Sequence, residues 1–224
     1  MTKERKPVEL GRKTPYYYFR MFWLDLAHFL VVAFNRILRC PKVLYLKEPY
    51  RIRGGAMLCA NHTCFNDPVL LHTTVWYRRV FFMAAEAAFR NPLAAFCLKG
   101  AGCLKVDRNI SDIEALRNVT EHLKAGFVVG VFPQGQVHRD QSLESIKSGA
   151  ILMAAQAGAP IIPMYLSEKK KFLTRRTVIF GEPLACKDYC KGSFPTMKEV
   201  NALTEELFAR MVACRDYYEK KVRK

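Results

Sequence analysis

His62 and Asp67 are the residues of this chain whose types and spacing point most directly to chemistry. They follow a short apolar run, 57–60, that reads as a buried strand, and Pro68 comes directly after the aspartate. An imidazole beside a carboxylate is a general base whose tautomer is held and whose protonated form is stabilised. The spacing restricts how the two can meet. On a continuous helix, positions five apart diverge by about 140°, so residues 63–66 must turn rather than spiral. Asp67-Pro68 permits this, because Asp is a favoured N-cap and Pro a favoured first helical residue. The aspartate therefore also has a purely structural reading as a cap. His62, in the strand-to-helix turn, has no such account. Cys64 lies between the two and opens a second chemistry, a Cys–His acyl-enzyme.

Three further segments carry polar residues at the ends of apolar runs. The run 102–106 ends in Asp107-Arg108, and 127–132 ends in Pro133-Gln134-Gly135 with His138 and Arg139 after it. A third, 161–166, opens after Gly158-Ala159-Pro160. Strand ends of an open α/β sheet are where ligands bind. Gathering His62, Asp67, Arg108 and Arg139 there would make a cationic site with a base, and guanidinium groups suit phosphate.

The ordered set of blocks resembles the glycerolipid (lysophospholipid) acyltransferases over roughly residues 20–215. Asn61-His62 with Asp67 resembles the family's N-H-x4-D block. Gly102 with Val106-Asp107-Arg108, Phe132-Pro133-Gln134-Gly135 and Ala159-Pro160-Ile161-Ile162-Pro163 resemble the next three. Lys147-Ser148-Gly149-Ala150 and Gly181-Glu182-Pro183-Leu184 are also similar to the family. The resemblance implies transfer of a fatty acyl group from acyl carrier protein or coenzyme A to the hydroxyl of a lysolipid. The expected acceptor is 1-acyl-glycerol-3-phosphate, giving phosphatidate in phospholipid biosynthesis. In that scheme His62 takes the hydroxyl proton and Asp67 orients it. Arg108, with Lys105 and Arg139, binds the phosphate, and Gln134 and Gly135 complete the third block. No metal and no redox cofactor are implied. The third block departs from the family: Gln134 replaces a glutamate, and Val137 stands where an arginine is usual, with Arg139 two positions on. Glutamine keeps the shape and hydrogen bonding but not the charge, which near a cation 4 Å away is worth up to about 4 kcal/mol. Two alternatives follow from that departure: another lysolipid acceptor, such as a lyso-aminolipid, or a non-catalytic relative that binds membranes or nucleic acid.

The elements that must position these residues alternate along the chain. Strands are expected at 43–46, 57–60, 80–83, 103–106, 127–132, 161–166 and 177–180, and helices at 68–77, 92–99, 111–125, 145–157 and 197–221. Alternation of this length predicts a single α/β domain, its mostly parallel or mixed sheet covered by helices on both faces. Ser111 and Glu114 have capping-box spacing, and Gly126 follows as a stop. Ahead of this domain, expected at 41–224, residues 1–40 hold a basic start and an aromatic-rich helix over 16–38. Its polar residues Asp25, His28, Asn35, Arg36 and Arg39 fall in one arc at helical spacing. The longest uncharged stretch, 26–35, is about half of what a spanning helix needs. An amphipathic helix lying in a membrane interface is the expectation.

Composition bounds the partners. The 224 residues are half hydrophobic, enough for one full core, and the net charge of +16 favours anionic partners. An anionic membrane surface and a thioester donor both fit. Nucleic acid does not, because the basic clusters at 3–13, 169–176 and 220–224 lack interleaved aromatics and any binding motif. The eight cysteines form no C-x-x-C pair and no zinc-ligand spacing, which suits a reducing compartment. No secretory leader pattern is evident at the start. The expected location is the cytoplasmic face of a membrane, held peripherally or monotopically.

Overall fold

The computed structural model of the protein describes residues 15–92, 102–106, 113–135, 146–168, 175–190 and 195–223, with 95, 98, 143 and 192 as isolated positions. Seven strands are present: β1 (Lys42–Tyr45), β2 (Ala56–Ala60), β3 (Val80–Ala85), β4 (Leu104–Val106), β5 (Val128–Val131), β6 (Ile161–Leu166) and β7 (Thr177–Phe180). They form one sheet in the order β1–β7–β6–β2–β5–β3–β4. Strands β2 to β6 run parallel, β7 is antiparallel to β6, and β1 is parallel to β7. The carboxyl ends of the five parallel strands therefore share one end of the sheet with the amino ends of β1 and β7. This is the mixed α/β architecture the sequence implies.

Helices cover both faces, and the two-residue period of the strands divides the core between them. Met57 and Cys59 of β2 point to one face, with Val129 and Val131 of β5 beside them. There they meet Val119 and Leu123 of α3 (Ile113–Lys124), Ile151 and Ala154 of α4 (Ser148–Ala157) and Leu203 and Leu207 of α5 (Met197–Lys221). Leu58 and Ala60 point the other way, with Val128 and Ile162, onto Leu71 and Val75 at α2 (Asp67–Thr74). Gly126, at φ +87°, ends α3 as expected. The capping-box positions Ser111 and Glu114, and most of the helix expected at 92–99, lie outside the described residues.

Helix α1 (Pro15–Arg39) packs against α2. Two residues of its polar arc meet the domain: Asp25 pairs with Arg79, and the Arg36 guanidinium lies 5.6 Å over the Trp76 ring. Val32 is buried, whereas Phe22, Trp23, Phe29, Leu30, Phe34, Ile37 and Leu38 are exposed. Polar groups thus help attach the helix while these seven apolar side chains face outward. Among the described residues no helix is long and apolar enough to cross a membrane.

Candidate active site

The end of β2 is fixed before His62 is reached. Asn61 is buried, and its side chain acts as one more rung between β2 and β6. Its Oδ1 accepts the Leu166 N–H at 2.7 Å, and its Nδ2 donates to the Leu166 carbonyl at 3.0 Å. His62 follows with its ring stacked on Phe132 at 4.1 Å and 14° between planes. Phe132 in turn lies parallel to Phe82 at 6.1 Å. Phe82 occupies space that only glycine leaves at position 130, since a Cβ there would stand 2.3 Å from the Phe82 ring. A small residue in the core of β5 thereby seats the aromatic stack behind His62.

Residues 63–66 turn as the spacing requires. His62 Nδ1 meets Asp67 Oδ2 at 2.8 Å, and the same oxygen accepts the backbone N–H of Thr63 at 2.6 Å and of Cys64 at 2.8 Å. The helix-cap reading of Asp67 is corrected here. Asp67 is itself the first residue of α2, Asn66 occupies the cap position, and no side-chain cap bond forms. Its carboxylate is spent on the turn that precedes it and on His62.

The other carboxylate oxygen has a partner that sequence reasoning missed. Arg176 Nη1 donates to Asp67 Oδ1 at 2.6 Å, its Nη2 to Thr63 Oγ1 at 2.8 Å and its Nε to the Ser167 carbonyl at 2.8 Å. Arg176 closes the basic cluster 169–176, yet its side chain is only 7% exposed and that of Asp67 is fully buried. Burial pushes the Asp67 carboxyl up, but the His62 hydrogen bond, the Arg176 charge and the Cys64 N–H outweigh it and hold the group well below the usual carboxylate range. An ionised Asp67 accepts a hydrogen bond from His62 Nδ1–H, which leaves Nε2 as the basic nitrogen. The Cys64 thiol sits 3.3 Å from both Asp67 Oδ1 and Arg176 Nη1. It is turned into the ion pair, and Asp67 already holds the Nδ1 nitrogen, so a Cys–His dyad is not assembled.

The third block closes the site from β5. Gln134 is buried and its Oε1 accepts the His62 backbone N–H at 3.4 Å. Gly135 has φ +76°, a conformation that side chains resist, and carries the turn back. The start of α4 is tied to that turn by the Lys147 N–H, which donates to the Pro133 carbonyl at 2.9 Å. The Lys147 ammonium lies 3.3 Å from where a Gly135 Cβ would be. Of the cations expected from sequence, Lys105 is bound to Glu86 at 2.5 Å, on an edge strand three places from β2. That is about 14 Å across the sheet. Arg108 and Arg139 lie outside the described residues, as do Val137 and His138. No group of His, Cys, Asp and Glu among the described residues is arranged to hold a metal ion.

Comparison with known proteins gives one direction. The family described as Acyltransferase matches residues 42–167, more than half of the chain. A 1-acyl-sn-glycerol-3-phosphate acyltransferase of Bacillus subtilis is 27% identical over 173 residues, covering 75% of this chain and 85% of the relative. A chloroplast enzyme of Arabidopsis thaliana with the same activity in its name is 28% identical over 121 residues, 53% of this chain but only 33% of its own length. The crystal structure of the 1-acyl-sn-glycerophosphate acyltransferase from Thermotoga maritima has the same fold, with a TM-score of 0.62 at 20% identity over 96% of this chain and 86% of that one.

Proposed function

The chain belongs to the acyltransferase family, and on that premise we propose that it moves a fatty acyl group from a thioester to the free hydroxyl of 1-acyl-glycerol-3-phosphate, forming phosphatidate. The observation that carries the reading is the His62–Asp67 pair, 2.8 Å apart at the carboxyl end of β2. A lipid hydroxyl is too weak an acid to attack a thioester unaided. His62 Nε2 removes its proton as the oxygen closes on the carbonyl carbon, which accelerates attack by roughly 10²–10⁴-fold. Asp67 stabilises the imidazolium formed, in the manner of a Ser-His-Asp triad whose serine is replaced by the substrate hydroxyl. Collapse of the tetrahedral intermediate expels the thiolate, which takes up the proton held on His62. The residues act without a metal or redox cofactor, and acyl carrier protein or coenzyme A carries the acyl group.

The acceptor phosphate requires cations near the turn at Gln134-Gly135. Lys147 stands beside that turn, Arg139 follows it four residues on in the sequence, and Arg108 follows β4 in the sequence. The exposed apolar side of α1 supports docking on a membrane, for which we propose the cytoplasmic face, and so does Phe65, which is 88% exposed in the turn that holds His62 and Asp67. In this arrangement residues 1–40 attach the enzyme and 41–224 carry the chemistry.

The test is release of free thiol from acyl carrier protein and coenzyme A thioesters in the presence of lysophosphatidate, other lysophospholipids and lyso-aminolipids. Wild type should turn over lysophosphatidate with at least one donor, and His62→Ala should lose that turnover. Equal rates for the two proteins would refute the enzyme reading, and preference for another lysolipid would refute the acceptor.

A further inference from the structure

A second concave surface lies away from His62, between the end of α1, β1 and the end of α2. It is an open cleft of about 440 Å³. Two arginines stand over its aromatic wall: Arg36 over Trp76 at 5.6 Å, and Arg51 over Tyr77 at 5.5 Å. A guanidinium held over a ring keeps N–H groups for an acceptor. Among the described residues no carboxylate lines the cleft, and neither arginine has an ion-pair partner. The wall hydroxyls are turned to the backbone. Tyr50 donates to the Gly181 carbonyl at 2.7 Å, and Thr73 and Thr74 donate to the Val69 and Leu70 carbonyls at 2.8 Å. What remains is a trough lined by the rings of Tyr45, Tyr50 and Trp76, with two cations set over the rings of Trp76 and Tyr77.

Such a surface matches an amphiphile with an anionic head. A free phosphate would leave the rings uncovered, and a neutral lipid would leave the guanidinium N–H groups unpaired. The surroundings favour a lipid: Ile37 and Leu38 of α1, next to Arg36, and Val43 on the cleft wall are exposed apolar residues. We propose that this cleft binds the phosphate group of an anionic phospholipid through Arg36 and Arg51, with the glycerol and upper acyl chain against the aromatic wall, at a site separate from the His62 turn. The site goes beyond acyl transfer and does not depend on it.

The two tryptophans of the chain make the test direct, because Trp23→Phe leaves Trp76 as the single reporter. In that background, monomeric dihexanoyl-phosphatidylglycerol should change Trp76 emission in a saturable way. Adding Arg36→Gln and Arg51→Gln should weaken the response by about tenfold or more, as loss of hydrogen bonds between charged groups does. His62→Ala should leave it unchanged. Removing equal charge elsewhere, with Lys220→Gln and Lys221→Gln, should also leave it unchanged. Inorganic phosphate and coenzyme A at the same concentrations should give no such response. The proposal is overturned by an unsaturable signal, by equal binding to the arginine double variant, by loss with the lysine variant, or by an equal response to phosphate or coenzyme A. A loss caused by His62→Ala would place the lipid at the other site and overturn it as well. Failure of acyl transfer in the thiol-release assay would leave this outcome untouched.

Discussion

The Arg176 guanidinium closes on Oδ1 of Asp67 at 2.6 Å across 109 residues of chain, while His62 holds the opposite oxygen. One buried carboxylate thus joins the end of β2 to the start of β7. Three N–H groups of the guanidinium are used, on Asp67, Thr63 and the Ser167 carbonyl. Removing one partner of a buried pair leaves the other charge uncompensated, which costs about 3–5 kcal/mol. Arg176→Met should therefore lower the unfolding free energy measured in urea by that amount, and with it the midpoint. Arg176→Lys restores the charge without the planar fork and should fall between the two. A midpoint unchanged in Arg176→Met would mean that the pair contributes nothing to holding the turn.

Acid should act through the same carboxylate. The native pKa of Asp67 is depressed, whereas an unfolded aspartate titrates near 4, at about 3.9. The unfolded chain therefore binds the proton first, and stability falls as pH drops below about 4 toward the native value. Above that range the contribution is fully present. Asp67→Asn should be less stable at neutral pH and should lack this part of the acid limb when unfolding free energy is measured against pH. Turnover should fall by about three to four orders of magnitude, as when the orienting carboxylate of a triad is lost.

The sheet was legible because its strands are short continuous apolar runs: 161–166 and 177–180 coincide with β6 and β7, and the other five fall within two residues. His62 and Asp67 were legible because they are close in sequence. Arg176 was not, because its meaning depends on which way β7 runs. A signal was nevertheless present. No helical pattern separates 166 from 177, and parallel neighbours need a long crossover. An antiparallel β7 returns its first residues to the carboxyl end of β2, which is where Arg176 appears. For α1, periodicity located the polar arc but not its direction. That required Asp25 to find Arg79 and Arg36 to find Trp76, contacts far apart in sequence.

Asn61 should matter as much as its neighbours. Asn61→Ala removes both bonds to Leu166 and leaves a buried N–H and carbonyl without that partner. Each unsatisfied group costs about 1–3 kcal/mol, so a loss of roughly 2–4 kcal/mol in thermal or urea unfolding is expected. Because His62 is the next residue, kcat should fall more than the donor KM rises. A variant with wild-type stability would show that the strands are held without this rung.

Cys64 separates direct attack from an acyl-enzyme. Its thiol faces Asp67 and Arg176, so Cys64→Ala should keep turnover within a few-fold of wild type and form no acyl adduct under single-turnover mass spectrometry. Abolished turnover, or a trapped thioester in the wild type that the variant lacks, would restore the Cys–His mechanism. Three buried thiols should stay silent. Cys59 is fully buried, and burial pushes Cys186 and Cys214 up to about 12. All three should resist alkylation in the native protein and react once it is unfolded.

The outward face of α1 gives the last prediction. Phe29, Phe34 and Ile37 are exposed by 65%, 63% and 83%, and two residues of the polar arc help attach the helix to the domain. Acidic residues in place of Phe29 and Phe34 remove apolar contact with a lipid surface and add repulsion from an anionic one. Both rings lie on the exposed side of α1, so the unfolding free energy should shift by no more than about 0.5 kcal/mol per site. Sedimentation with vesicles of mixed zwitterionic and anionic phospholipid should show wild type bound and Phe29→Asp/Phe34→Asp largely free. Turnover of a short-chain, water-soluble acceptor should survive, because His62, Asp67 and Arg176 are untouched. Unchanged vesicle binding would shift membrane attachment from α1 to the basic surface, and destabilisation by several kcal/mol would mean that these rings pack within the protein.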